Sequence, residues 1–118
     1  MSRFIVILAL LVVIMPAAVY AKRGAPPKVA PIVYEDVRYI APNDDGRRAY
    51  IQAWDTKTNK RLWELTVFKN HINPFMEEDV QHVYIKKMEI HEGKLILSAE
   101  DLHIYSLDLK THEVKKLK

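Results

Sequence analysis

The chain has 118 residues, no cysteine, a formal charge of +3 and 49% hydrophobic residues, which is the balance of one small globular domain. Without cysteine there are no disulfides, no thiol nucleophile and no lipid attachment through a thiol, so core packing alone must carry the stability. The small positive charge calls for no nucleic-acid partner.

Met1-Ser2-Arg3, the apolar run Phe4 to Met15, Pro16 and the small-residue end Val19-Tyr20-Ala21 together have the three parts of a secretory signal peptide. A cleavable signal helix is expected over residues 1–21. The alternative is a retained anchor, since Phe4 to Ala21 is just long enough to reach across a bilayer. Cleavage would leave a secreted or periplasmic protein with no stable membrane insertion. Residues 22–31 are rich in Pro, Ala and Lys (Pro26, Pro27, Pro31) and predict an exposed, extended lead-in rather than packed structure.

From Ile32 on, short apolar runs alternate with turn signals. Strands are predicted near Ile32–Tyr34, Val37–Ala41, Arg48–Asp55, Arg61–Lys69, His82–His91, Lys94–Ala99, His103–Asp108 and Val114–Leu117. In His82–His91 the apolar parity switches between Val83/Ile85 and Met88/Ile90, which predicts a bulge near Lys86-Lys87. Asn43-Asp44-Asp45-Gly46 reads as a polar hairpin turn, because it lacks the alternating oxygens and distant Glu of a calcium loop.

Two of the turns repeat. Asp55 is followed by Lys57, Thr58 and Asn59; Asp108 is followed by Lys110, Thr111 and His112. An Asp side chain at a strand end can accept the amides two and three residues on, and a Thr hydroxyl can serve inside the turn. Asn and His are among the few non-glycine residues suited to positive φ at the fourth position. The two turns lie fifty-three positions apart, so four strands with one such turn form a unit: residues 32–69, a connection 70–81, and residues 82–117.

The first copy resembles the repeat of quinoprotein-type (PQQ-like) β-propellers, roughly Ala-x-Asp-x-x-Thr-Gly-Lys-x-x-Trp, matched by Ala53, Asp55, Thr58, Lys60 and Trp63 with Asn59 in place of Gly. The second copy keeps Asp108 and Thr111 but has Lys116 at the tryptophan position. The resemblance implies an all-β domain over residues 32–118 of two four-stranded antiparallel blade-like sheets. It also implies a structural role for Asp55, Thr58, Asn59, Trp63, Asp108, Thr111 and His112. It implies no cofactor, because two repeats supply neither the closed ring nor the ligand set of a quinone enzyme. Two blades cannot close a ring. The two sheets are expected to pack on each other as a small monomeric sandwich, with a ring assembled from several chains as the alternative.

No catalytic constellation stands out. Five histidines are scattered without the close spacing of a metal site, and no serine sits in a nucleophile-elbow context. The connection Asn70 to Gln81 sets Phe75 and Met76 beside Glu77, Glu78 and Asp79. These five residues are the candidate contact for another secreted or envelope protein, with Phe75 as anchor; alternatively Phe75 and Met76 fold back over a sheet edge or the core. The expected function is a non-enzymatic binding or scaffold module. The alternative is a small metal- or ligand-binding accessory protein of a periplasmic enzyme that uses His71, Glu77 to Asp79 and His82. Lys110, Lys115, Lys116 and Lys118 read as the lysines that keep an edge strand from aggregating.

Overall fold

The computed structural model describes residues 24–118; the signal-peptide expectation falls outside them. Among the described residues there are eight strands: β1 (Ile32–Tyr34), β2 (Val37–Ile40), β3 (Arg48–Asp55), β4 (Arg61–Lys69), β5 (Ile85–His91), β6 (Lys94–Ala99), β7 (Ile104–Asp108) and β8 (Val114–Lys116). They form two four-stranded antiparallel meanders, β1-β2-β3-β4 and β5-β6-β7-β8. A 3-10 turn, Asp79–Gln81, lies in the connection between them.

Alternation along each strand sends one set of side chains inward. In the first sheet these include Tyr39, Ala49, Ile51 and Ala53, and in the second Ile85, Met88, Leu95, Leu97, Tyr105 and Leu107. All belong to one core, so the inward faces of both sheets are covered by each other. Phe68 of β4 stacks on Tyr105 of β7 with ring centroids 4.9 Å apart, and β1 lies beside β5. Ile51, Ile85, Leu95, Leu97 and Leu107 are fully buried, and each contributes about 2 kcal/mol of burial free energy.

The expected bulge in β5 appears as a register shift between Ile85 and Lys87. It lets Ile85 and Met88 both face the core although they differ in parity. The β3–β4 pair carries two further shifts, after Ala49 and after Ala53. The first turns Phe68 inward opposite Ala49, which a strictly alternating β4 would not allow.

The outward face of the first sheet is sealed by a polar network. Arg48 donates to Glu64 (2.9 Å) and Thr66 (2.7 Å), Gln52 donates to Glu64 (3.0 Å), and the Trp54 indole donates to Gln52 (3.1 Å). The Arg48 guanidinium also lies 4.0 Å over the Tyr50 ring, and the Tyr50 hydroxyl donates to Asp44 at 2.5 Å. Burial, followed by that bond, pushes the Tyr50 pKa up to about 12. The edge strand β8 carries exposed Lys115 and Lys116.

The lead-in is extended and mostly exposed over residues 24–31, with two anchors: Val29 packs against the core and the Pro27 carbonyl accepts a bond from Asn43 (2.9 Å). One expectation needs correction: Asn43 is no solvent-facing turn residue. It is 7% exposed, has φ of 51°, donates to the Ile85 carbonyl (2.8 Å) and accepts from the Ile85 amide (3.3 Å). One side chain therefore joins the lead-in, the β2–β3 connection and the first strand of the second sheet.

Candidate functional site

The two Asp turns are built alike. Asp55 Oδ1 accepts the amides of Lys57 (2.8 Å) and Thr58 (3.3 Å); Asp108 Oδ1 accepts those of Lys110 (2.8 Å) and Thr111 (3.0 Å). The amides of Asn59 and His112 each return to the Asp carbonyl at 2.8 Å, with φ of 59° and 66°. The Thr111 hydroxyl accepts from the Glu113 amide (3.2 Å). Trp63 packs on His112 with ring centroids 4.4 Å apart, so the motif of one unit touches the motif of the other. These residues shape and join the sheets.

The same turns bear on pH. Amide bonds hold the Asp55 and Asp108 carboxyls below their ordinary pKa, from Lys57 then Thr58 at the first and from Thr111 then Lys110 at the second. Gln52 and then Arg48 lower that of Glu64, and Arg47 and then His82 lower that of Glu78. Each folded value lies below the unfolded one, so the stabilisation is present above the unfolded carboxylate range and is lost as pH falls through the folded values. Melting temperature is expected to hold near neutrality and to drop below about pH 4. In the Asp55→Asn/Asp108→Asn double variant the acid-side slope should be shallower, as read by thermal melts from pH 2 to 7.

At the opposite end of the sheets, the connection Asn70 to Gln81 is a wired loop rather than a slack one. Gln81 Nε2 donates to the carbonyls of Asn73 (3.0 Å), Met76 (3.3 Å) and Glu77 (3.0 Å), and its Oε1 accepts the Asn73 amide (2.7 Å). Asn73 Oδ1 accepts the Phe75 amide (2.9 Å). At the base, Asn70 Nδ2 donates to the carbonyls of Gly46 (2.7 Å) and Val83 (3.1 Å). Arg47 grips Glu78 through Nε (3.0 Å) and a terminal nitrogen (2.6 Å), and His82 lies 3.1 Å from the same carboxylate. A side chain on Gly46 would run into the His82 ring.

This wiring turns the apolar residues outward. Phe75 is 94% exposed and Met76 57%, so they do not fold back over an edge or the core. Glu77 is exposed as well. Glu78 is committed to Arg47 and His82, and Asp79 has one carboxylate oxygen buried without a hydrogen-bond partner. His71 is exposed, and among the described residues no group of three or more His, Asp or Glu could hold a metal ion. Sequence reasoning missed Gln81, the residue that shapes the loop. A lone Gln carries no local pattern, and only its position at the end of a long apolar-acidic connection was a signal. Gln81→Ala should speed amide exchange at Asn73, Phe75, Met76 and Glu77 by about tenfold or more while leaving the melting temperature almost unchanged, since the loop lies outside the core.

No family model and no curated protein matches this chain.

Proposed function

We propose that the chain is a non-enzymatic binding or scaffold module, secreted or periplasmic, that contacts another envelope or secreted protein through Phe75 and Met76. The carrying observation is a phenylalanine 94% exposed at the tip of a loop whose backbone Gln81 fixes from four sides. Exposing a large ring forgoes its burial energy, and ordering the segment that carries it lowers the entropy cost of docking. Glu77 beside it supplies a polar rim, whereas Glu78 works inside the loop.

The reading as two degenerate PQQ-type repeats is supported by the shared hydrogen bonds of the Asp55 and Asp108 turns and by the matched four-stranded meanders. Monomeric action is supported by the polar network over the middle of the first sheet's outward face, which leaves only single exposed apolar residues, Val33 and Leu62, outside the shared core.

A photo-crosslinking phenylalanine analogue at position 75, introduced in the source cells, tests the contact. A discrete protein adduct is expected at 75, absent when the analogue replaces Leu102, which is 73% exposed, and lost in the Gln81→Ala background. The absence of any adduct at 75, or the same adducts at both positions, would overturn the reading.

A further inference from the structure

Away from the contact loop, at the turn end of the sheets, lies an open cleft of about 490 Å³ lined by Tyr34, Tyr39, Glu35, Glu92, Asp108 and Lys110, among others. The repeat builds it. Glu35-Asp36 and Glu92-Gly93 are the two-residue turns of the first hairpin in each sheet, and all four residues have positive φ. Each is tied to the neighbouring Asp turn by an equivalent bond, from the Thr56 amide to the Asp36 carbonyl (3.1 Å) and from the Leu109 amide to the Gly93 carbonyl (3.3 Å). Such turns select Asn, Asp or Gly at their first position. Glutamate stands there in both units instead, and turn geometry does not account for it.

Two tyrosines stand over the same space. Ile32 pairs with Tyr39 and Tyr34 with Val37, so Tyr34 and Tyr39 are diagonal neighbours on one face of the ribbon. Tyr39 is only 5% exposed and lines the cleft, yet its hydroxyl makes no hydrogen bond among the described residues. Burial, then the Glu35 carboxylate and Tyr34, raise its pKa and keep the phenol neutral. Asp79 Oδ1 is the one buried, unpartnered side-chain polar atom among the described residues, so the Tyr39 hydroxyl meets the open cleft, where its oxygen can accept a hydrogen bond from an occupant.

The charges set the occupant's sign. Asp108 spends Oδ1 on its own turn amides and has Lys94 nearby. Lys110 lines the cleft, Lys57 leans on Asp36 at 3.5 Å, and His91 lies 3.5 Å from Glu92. Glu35 has no ion pair among the described residues, and Glu92, whose side chain is 80% exposed, meets His91 through Oε1 alone, which leaves its second carboxylate oxygen open to a ligand. Among the described residues no group of three or more His, Asp or Glu could hold a metal ion, and the two aromatic rings suit the lining to a soft organic cation.

We propose that this cleft binds a primary ammonium group, its N–H groups reaching Glu35, Glu92 and the Tyr39 hydroxyl while its alkyl chain lies along the Tyr34 ring. Nuclear magnetic resonance titration tests this with putrescine, with an N-terminally blocked lysine tetrapeptide, and with sodium chloride at matched ionic strength. Saturable shifts at the amides of Tyr34, Tyr39 and Gly93 are expected, and the salt should not reproduce them. Glu35→Gln and Glu92→Gln should each weaken binding about threefold, and Tyr39→Phe likewise. Phe75→Ala should leave the shifts unchanged, which separates this site from the contact loop. Saturation by putrescine points to a free amine, and saturation by the peptide alone to a lysine side chain. The proposal falls if neither probe saturates, or if the Glu35→Gln/Glu92→Gln double variant binds as tightly as the parent.

Discussion

Asn43→Ala is expected to destabilise the protein by about 3–5 kcal/mol, combining buried hydrogen bonds left unmade with the cost of alanine in the left-handed region. The substitution deletes the bonds to the Pro27 carbonyl and to both backbone groups of Ile85. Asn43 is 7% exposed, so water has little access to replace them. Domains of this kind have only about 5–15 kcal/mol to lose. Urea denaturation of parent and variant gives the difference directly. Amide exchange at Val29 should also rise, because the lead-in loses its tie through Pro27. A loss under about 1 kcal/mol would mean that Asn43 does not join the three segments.

The second large effect is expected at Leu97, fully buried in β6. Leu97→Ala should cost about 3–4 kcal/mol through lost burial and the cavity left behind. Its value lies in where the loss is read. Trp54 and Trp63, the two tryptophans of the chain, both sit in the first sheet, whereas Leu97 sits in the second. If one core joins the sheets, the tryptophan fluorescence midpoint should move by as much as the circular dichroism midpoint. A fluorescence midpoint that stays in place would mean two independent sheets.

Much of the architecture was legible because strand alternation and turn chemistry are local. Arg48–Asp55, Arg61–Lys69 and Lys94–Ala99 are read with the observed ends, since each is bounded at one end by an Asp, Asn or Gly signal (Asp55, Asn70, Gly93) that leaves the ladder. The β5 bulge was visible as a parity switch. The shifts in β4 were not, because Leu62, Trp63, Leu65, Val67 and Phe68 are apolar on both parities and hide the phase. Asn43 was misread for a different reason. Asn beside Asp-Asp-Gly has the composition of a solvent turn, and its partner Ile85 lies 42 positions away, beyond any local pattern. The loop residues Phe75 to Asp79 were singled out as a candidate contact by length and composition. Whether Phe75 would turn in or out depended on Gln81 and Asn73, whose bonds run from side chain to backbone. The Glu35 and Glu92 pair went unnoticed because its equivalence appears only when the two hairpins are laid side by side.

The central claim is that one chain satisfies both sheets, leaving the Asn70–Gln81 loop free for a partner. Light scattering of the chain from Lys22 onward across a hundredfold concentration range tests it most directly. The account predicts the mass of a monomer at every concentration; a discrete trimer or tetramer would contradict it and place the sheets in a ring shared between chains.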